Sequence, residues 1–401
     1  MPSMVRWLLL VCVVALPAQA YPWMVKHGYG SCATCHVDPS GSGQLTQYGR
    51  AQSDILVKWR TTPRKDDEEV PKTANFLWFA ELPEVLNLSG NFRYGSLIRP
   101  QAGPTFLGGI FIPLLMAADL YVTVNAGPAV FHVTTGVGIR NAGQAAILPA
   151  CTPGLGETCS VQWLMREAWG GIKLADDAVM IRAGRMNLPF GIRNNEHPSF
   201  IRAYTRTDVN IAQQYGVAIA YNSDKLRGEV MGIAGNFNIA PDLYRERGYS
   251  AFAEYAFTNN VYLGASSLIT YAGADYTTTL PTTRHAHGLF GRFVPTEKLA
   301  LLAEADFLAW QTPEKLDRLG FAGFVQGDLS VMPGLHVMLT GEAAHDGTAT
   351  QGANYAGWLS AAWYFFSHCE LRVDNIFRRR AVLGGPGQFE YQLLVQLHAY
   401  L

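Results

Sequence analysis

Short stretches with one apolar and one polar face recur along most of this chain, and they constrain its fold more than any other feature. From about Glu84 onward, stretches of about 10 to 15 residues alternate apolar and polar positions, as Tyr391, Gln392 and Leu393 do in the last one, and this period of two is typical of strands. Sixteen stretches centre near Ser89, Asp119, Thr135, Trp169, Ala183, Val217, Gly232, Glu254, Ser266, Phe290, Glu304, Gln326, Leu339, Ser360, Val373 and Val395. Each is long enough to cross a bilayer at a tilt. The pattern predicts an all-β fold, a 16-stranded antiparallel transmembrane β-barrel, with a soluble β-sandwich as the alternative.

The connections between these stretches alternate in length. Tight turns fall at Gly127-Pro128, Asp176-Asp177, Ser223-Asp224, Asn259-Asn260, Pro295-Thr296, Pro333-Gly334 and Ser367-His368. Longer links occupy 141–161, 190–210, 239–247, 273–285, 312–319, 346–353 and 379–387. Barrels of bacterial outer membranes have short periplasmic turns and long external loops. We therefore expect the tight turns and both ends of the barrel on the periplasmic side.

Composition agrees with a membrane barrel and excludes a nucleic-acid-binding protein. Only 16% of the residues are charged, whereas about 25% is usual for soluble domains. The charges of the 31 basic and 32 acidic residues nearly cancel. The chain therefore lacks the excess of basic residues that nucleic-acid-binding proteins carry. No later stretch reaches 18 consecutive apolar residues, which excludes helical membrane spans. Outer-membrane lipid is the partner that this composition predicts.

The first twenty residues have the form of an export signal. Arg6 precedes an apolar run from Trp7 to Leu16, and Ala18-Gln19-Ala20 supplies small residues around a cleavage site. We expect export across the inner membrane of a Gram-negative bacterium and a mature chain that starts near Tyr21. The predicted organisation is a signal peptide at 1–20, a haem-bearing segment at 21–58, a linker at 59–82 and the barrel at 83–401. The linker contains the charged run 64–69, which indicates a solvated segment.

The strongest chemical motif is Cys32-Ala33-Thr34-Cys35-His36. Its spacing allows two thiols to attach the vinyl groups of one haem c while the adjacent imidazole ligates the iron. A thioredoxin-like dithiol would need βαβ surroundings, and a zinc site would need a second Cys/His pair nearby. Neither is present in the sequence. We therefore predict covalent haem attachment at Cys32 and Cys35 and a proximal iron ligand at His36.

The haem-bearing segment is too short to fold alone, since barely 40 residues cannot bury a core of their own. We predict that it is mostly helix and loop and that it plugs the barrel from the periplasmic end. His27 and Met24 are the nearest candidates for the distal ligand. Four histidines on polar strand faces are further candidates: His132, His336, His368 and His398. An iron with five ligands and no distal ligand is a third option.

Other cysteines and the loop residues yield weaker predictions. Cys151 and Cys159 are predicted to form a loop disulfide in the oxidising compartment, and Cys369 is expected to be an apolar filler on the lipid-facing side. Histidines in predicted outer loops could hold a metal ion or be ordinary polar surface: His197, His285, His287 and His345. Arginines of the 190–210 link could line a constriction if that link folds inward, or be solvated: Arg193, Arg202 and Arg206.

In the order of its parts, the chain resembles the fused outer-membrane monohaem cytochrome c-porin family known from iron oxidisers. The similarity in sequence is concentrated in His27–His36 and in the stretch from Pro39 to Arg50. It implies a haem segment that plugs a barrel, with electrons passing from extracellular ferrous iron to a periplasmic cytochrome. The Gly/Ser-rich turn after His36 and the final Leu401 depart from the pattern of that family.

Two functional hypotheses follow. The first is an electron-transfer protein, of the iron-oxidase type if ferrous iron is the substrate, that connects an extracellular redox substrate with a periplasmic c-type cytochrome or another soluble carrier. The second is a diffusion porin whose haem segment is a structural or redox-gated plug. A haem enzyme would need a shaped substrate pocket, and the sequence shows none.

Overall fold

In the computed structural model, sixteen antiparallel strands form one closed barrel in which each strand pairs with its neighbours in sequence and β1 pairs with β16. The structure describes residues 22–61, 72–99, 110–139, 161–194, 196, 199–239, 241–276, 279–314, 317–348, 352–382 and 385–400. The strands are β1 Leu86–Arg99, β2 Ile110–Ala126, β3 Ala129–Ile139, β4 Val161–Leu174, β5 Val179–Met186, β6 Gln214–Asn222, β7 Leu226–Gly235, β8 Arg247–Thr258, β9 Val261–Ala272, β10 Thr282–Thr296, β11 Leu299–Gln311, β12 Arg318–Met332, β13 Leu335–His345, β14 Asn354–Phe366, β15 Cys369–Val382 and β16 Gly385–Tyr400.

Closure of the barrel depends on the first and last strands. Antiparallel pairing of β1 with β16 runs from Asn91 opposite Tyr400 to Ile98 opposite Leu393. All sixteen predicted strand centres lie within the observed strands, so the predicted strand number and order are confirmed. A single closed sheet also rules out the soluble β-sandwich, which needs two open sheets packed face to face.

The two faces of each strand differ in burial, as the sequence predicts. On β11, Leu302 and Glu304 point inward and are buried, whereas Phe307 points outward and is 49% exposed. Many other large apolar side chains of the outer face are exposed in the same way, among them Leu289, Leu339 and Phe377. Cys369 also lies on this outer face, at the start of β15. An apolar outer face over a polar, filled interior is the inverse of a soluble barrel and suits a lipid surround.

Short and long connections alternate around the barrel, although two of the predicted long links are shorter than expected. β10 begins at Thr282, so the link after β9 ends earlier than predicted. β15 continues to Val382 and β16 begins at Gly385, so most of the predicted 379–387 link is strand. We refer to the two rims as the short-turn end and the long-link end. The register of β15 and β16 pairs Arg379 with Phe389, which accounts for the extension of the last hairpin.

Helices are few and short. They are α1 at Gln47–Leu56 and α2 at Phe200–Thr205, with 3₁₀ turns at Pro22–His27, Cys32–Thr34, Lys72–Ala74 and Asp242–Tyr244. Within the described residues, none of the helices has the length and apolar character needed to span a bilayer. The predicted signal peptide, Cys151, Cys159 and His197 lie outside the described residues.

The described parts of the predicted linker are attached to the barrel. The Trp59 backbone N–H donates to the Tyr364 carbonyl at 2.8 Å, and the Trp78 indole N–H donates to the Ser367 carbonyl at 2.9 Å. Tyr364 lies near the end of β14, and Ser367 lies in the turn between β14 and β15. The two ends of the segment 59–82 are therefore anchored at the short-turn end, while its charged run 64–69 lies outside the described residues.

Candidate functional site

The Cys-x-x-Cys-His motif adopts one tight turn. Cys32–Thr34 is a 3₁₀ turn, and the backbone N–H groups of Cys35 and His36 both donate to the Cys32 carbonyl, at 3.1 and 2.9 Å. Cys32 and Cys35 are free thiols in this structure, with Cys35 buried. The turn therefore presents two unpaired sulfurs immediately before a buried imidazole.

The Gly/Ser-rich stretch after the motif reverses the chain. Gly41, Ser42 and Gly43 all have positive φ, a conformation that glycine adopts without strain. The Ser40 backbone N–H donates to the Asp38 carboxylate at 3.0 Å, which stabilises the start of the reversal. A Cβ at position 41 would lie 3.0 Å from the Cys32 sulfur. Glycine at this position therefore lets the reversal pack against the motif.

Helix α1 packs directly on the motif. Its N-cap is Thr46, whose hydroxyl accepts from the Gly49 backbone N–H at 3.0 Å, as N-cap side chains commonly do. The Thr46 backbone N–H donates to the Cys35 carbonyl at 2.9 Å. A Cβ at Gly49 would lie only 2.3 Å from that same carbonyl oxygen. Gly49 is therefore required for the close approach of α1 to the motif.

The N-terminal segment is held by inward-facing side chains of six strands. The contacts are Lys26 with Asp328 on β12, Gly30 with Arg292 on β10, Cys32 with Arg227 on β7, Asp38 with Arg182 on β5, Gln44 with Thr123 on β2 and Arg50 with Asn87 on β1. Lys26 and Asp328 are completely buried, with 2.5 Å between the ammonium nitrogen and the carboxylate oxygen. These partners are distributed around the barrel wall, so the segment is fixed on all sides.

The long link between β5 and β6 folds inward from the opposite end. Glu196 accepts from Arg93 on β1 and from Arg372 on β15, at 3.0 and 2.7 Å. Burial opposes ionisation of Glu196, but Arg372 and Arg93 outweigh it and lower the pKa of this carboxyl to about 2. The Ser199 hydroxyl donates to Glu342 on β13 at 2.5 Å. The link is therefore clamped to three separate strands.

The three arginines predicted to line a constriction have different partners. Arg193 donates to the Ser40 hydroxyl of the N-terminal segment at 2.6 Å. Arg202 pairs with Asp208 within the link, and Arg206 pairs with loop carboxylates near the long-link end. The inward fold is thus confirmed. Arg193 is the arginine that connects the link with the N-terminal segment.

A cavity brings the predicted haem residues together. Met24, Cys32, Cys35 and His36 all line it, whereas His27 does not. Three arginines, Arg193, Arg227 and Arg292, complete its wall. Two thiols, an imidazole and a thioether are the donor set that a covalent haem with two axial ligands requires. In residue types the site therefore fits haem c. The cavity measures about 40 Å³, so a tetrapyrrole would enter only if surrounding side chains moved.

Burial keeps the Cys35 thiol and the imidazoles of His36 and His27 neutral. It lowers the pKa of His36 to about 4 and raises the pKa of Cys35 to about 11. Burial likewise lowers the pKa of His27 to about 4. A neutral imidazole is the form that ligates iron. His27 packs edge-on near Trp23, with 6.4 Å between the ring centroids.

His36 also lines a second, larger cavity of about 390 Å³. Besides His36, Ala33 and Tyr48 of the N-terminal segment, it is lined by residues near the short-turn end such as Lys173 and Asp177. Neither cysteine lines this cavity. His36 therefore lines both the small cavity shared with the thiols and the larger cavity near the short-turn rim.

The remaining histidines divide between the two faces of the barrel. His132, His336 and His398 point inward as predicted, and each is hydrogen-bonded to neighbouring side chains. His368 is buried in the turn between β14 and β15. None of these four lines the cavity that contains Cys32 and Cys35.

The prediction that His285, His287 and His345 lie in outer loops is wrong, because the neighbouring strands extend further than expected. His285 and His287 lie within β10, and His345 is the last residue of β13. The Oγ of Ser267 and the His287 ring nitrogen are 2.9 Å apart across neighbouring strands. Among the described residues, no group of three or more His, Cys, Asp or Glu side chains is arranged to hold a metal ion.

The dense ion-pair network inside the barrel was missed at the level of sequence. Arg182 pairs with both Asp38 and Glu229, and Glu254 pairs with both Arg227 and Arg292. Strand alternation could have placed the barrel residues on the inner face. Their pairing across strands, and with Asp38, depends on register and on the position of the N-terminal segment.

Neither a protein-family model nor a curated protein sequence matches this chain. Solved structures do match its fold. The outer membrane channel DcaP of Acinetobacter baumannii superposes with a TM-score of 0.55 at 13% identity, covering 79% of this chain and 97% of that one. OmpT of Vibrio cholerae gives 0.58 at 9% identity, covering 79% and 97%. The anion-selective porin from Comamonas acidovorans gives 0.55 at 10% identity, covering 79% and 99%. At these identities the likeness concerns the porin-type barrel alone.

Proposed function

We propose that this protein is an outer-membrane barrel that exchanges electrons between an extracellular redox substrate and a periplasmic c-type cytochrome or similar soluble carrier. In this proposal Cys32 and Cys35 attach one haem c, His36 is the proximal ligand and Met24 is the distal ligand. The observation that carries it is the cavity that all four side chains line. One-electron exchange is the chemistry that a covalent haem supplies when bound.

The interior contacts favour a plugged barrel over an open pore. The N-terminal segment is bonded to six strands, and the inward link is clamped to three. The two meet where Arg193 donates to Ser40. A diffusion channel needs a continuous aqueous path through the barrel. The N-terminal segment and the inward link both occupy the interior where such a path would run.

The residues that hold the segment also indicate its depth. Arg227 is the second residue of β7, and Asp328 and Arg292 lie four residues from the short-turn ends of β12 and β10. Tilted strands rise about 2.5 Å per residue along the membrane normal, so these anchors lie within about 10 Å of that rim. We propose that the short-turn end faces the periplasm. A periplasmic carrier then reaches the haem edge directly, through the larger cavity beside His36.

The outer side has a longer distance to cover. A bilayer core is about 30 Å thick, so about 20 Å of barrel separates the motif from the external rim. Electron tunnelling weakens steeply with distance. An external donor therefore has to enter the lumen, or the inward link has to move aside, for one haem to connect the two sides.

Proteoliposomes test this function. The purified protein is reconstituted around entrapped oxidised cytochrome c, a membrane-impermeant reductant is added outside, and internal reduction is followed by absorbance. We expect transfer by the wild type and a loss of at least tenfold in His36→Ala. His285→Ala, on the outer barrel face, is the matched control and should transfer normally. A wild-type transfer rate in His36→Ala would refute the proposal. So would a pyridine haemochrome spectrum of the purified wild-type protein that shows no haem.

A second candidate is a channel whose haem-bearing plug opens with redox state. The likeness to outer-membrane channels and porins favours it. Planar-bilayer recordings separate the two functions. Steady porin-sized currents that appear only on reduction would favour the gated channel, and silence in both redox states would favour electron exchange.

A further inference from the structure

After the haem-bearing segment, the chain leaves the lumen and lies against the outer wall of the barrel before β1 begins. We infer that this stretch binds the lipid leaflet at the short-turn end through the side chains of Trp59, Trp78 and Phe79. We call its described residues, 58–61 and 72–80, the strap. The inference does not depend on haem, because it requires only that the barrel lies in a membrane.

The first observation is the point at which the chain crosses the rim. Val57 is 3% exposed and belongs to the same buried cluster as the inward-facing Tyr364. Two residues later, the chain lies on the turn between β12 and β13, where a Cβ at Gly334 would be 2.2 Å from the Trp59 Cα. Gly334 also has a positive φ of 78°, which glycine adopts without strain. Glycine in this turn therefore lets the chain pass from the lumen to the outside.

The second observation is the position of the Trp59 side chain. Its indole N–H donates to the Met332 sulfur at 3.5 Å, and its ring packs edge-on against Trp363, with 6.0 Å between the centroids. Trp363 belongs to the outward face of β14. Indole rings favour the boundary between hydrocarbon and headgroups, because the ring is apolar and its N–H is polar. Trp59 is therefore continuous with the lipid-facing wall.

The other end of the strap makes a strained turn. Leu77 and Trp78 have positive φ values of 52° and 66°, a conformation that costs free energy in residues with a Cβ. Trp78 lies against the wall, with 6.0 Å between its ring centroid and that of Phe366. Phe79 is left 72% exposed. Water would oppose the exposure of this ring, whereas acyl chains beside the wall would stabilise it.

The wall beside the strap favours lipid over a protein partner. Large apolar side chains stay exposed up to the last residues of β12 and β14, as Val331, Met332 and Phe366 do. The Lys58 ammonium lies 5.3 Å from the centroid of the Phe366 ring. Lysine beside aromatic rings is typical of the headgroup boundary, where the ammonium reaches the polar layer. The strap thus extends a surface that lipid already covers.

Photocrosslinking in phospholipid nanodiscs tests the inference on the full-length protein. Phe79→p-benzoylphenylalanine should form lipid adducts on irradiation, detected by intact mass. The same replacement at Leu339, on the lipid-facing wall, is the positive control. At Tyr48, which is 48% exposed but lines the lumen cavity, it is the negative control. We expect a yield at position 79 about equal to that at 339 and about tenfold above that at 48, because lipid is excluded from the lumen.

Hydrogen exchange in the same nanodiscs provides a second measurement. The exposed ring of Phe79 contributes little to packing within the protein, so a purely structural role predicts no effect of Phe79→Ser. If lipid holds the ring, this variant should speed exchange of the amides of 78–80, which are bonded within the turn, by at least about tenfold. Tyr48→Ser is the matched control and should leave that exchange unchanged.

Two results would contradict the lipid contact directly. They are a lipid-adduct yield at position 79 no higher than at position 48, with position 339 labelled, and wild-type exchange of 78–80 in Phe79→Ser. Crosslinks from position 79 to a second copy of the chain in liposomes would assign the exposed ring to a protein interface and would also overturn the inference. Normal folding of each variant is checked by the mobility of the unheated barrel on SDS gels.

Discussion

Replacing Lys26 with alanine tests whether buried charge pairs hold the N-terminal segment in the barrel. The Lys26 ammonium contacts the Asp328 carboxylate at 2.5 Å and the Ser330 hydroxyl at 2.6 Å. His336 lies 3.0 Å from the same carboxylate. Both members of the Lys26–Asp328 pair are fully buried. Lys26→Ala therefore leaves a buried carboxylate whose only remaining basic neighbour among the described contacts is the imidazole of His336.

Removing one partner of a buried pair costs about 3 to 5 kcal/mol. At about 1.4 kcal/mol per tenfold change, this increases the population of detached segments by roughly 150- to 4,000-fold. The assay is hydrogen exchange of the backbone amides of 22–57 in detergent-solubilised protein, read by mass spectrometry. We expect faster exchange in this segment and unchanged exchange in the barrel strands.

A double variant provides the decisive comparison. Lys26→Met with Asp328→Asn removes both charges, and such neutral replacements often restore most of the stability. We expect its exchange to return close to that of the wild type. Lys173→Ala breaks the exposed pair with Asp177 and should change stability by less than about 1 kcal/mol. Wild-type exchange in Lys26→Ala, or equal exchange in the single and double variants, would refute the reasoning.

Three further predictions follow from single contacts. The Glu196 clamp is fully present above the ordinary pKa of 4.5 and is lost as the pH falls towards the lowered value of about 2. Acid should therefore release the inward link, seen as increased ion conductance, and Glu196→Gln should conduct equally at both ends of that range. Gly49→Val inserts a Cβ 2.3 Å from the Cys35 carbonyl and should destabilise the segment by about 1 to 3 kcal/mol, measured as reduced haem incorporation. Met24→Ala should change the absorption and EPR spectra of the haem protein; His27→Ala, outside the cavity, should not, and the reverse result would make His27 the ligand.

Much of the fold was predictable because local pattern and membrane geometry act on each strand separately. Alternation along β11 and β16 identifies strand and face without knowledge of any partner, and short turns such as Gly127-Pro128 mark the strand ends. Prediction failed where no local signal marks a boundary. The hairpin between β15 and β16 extends through Arg379 and Phe389, because cross-strand pairing continues beyond the membrane-spanning length.

In the candidate site, too, some residues could be predicted from the sequence and others could not. Cys32, Cys35 and His36 are recognisable from sequence because attachment chemistry requires them at fixed spacing within one turn. Which distant side chains meet them is decided by barrel register and by the path of the N-terminal segment. The presence of Met24 rather than His27 in the cavity, and the convergence of Arg193 with Arg227 and Arg292, bring together residues up to about 270 positions apart. No periodicity along the chain encodes those distances, so only the tertiary structure determined them.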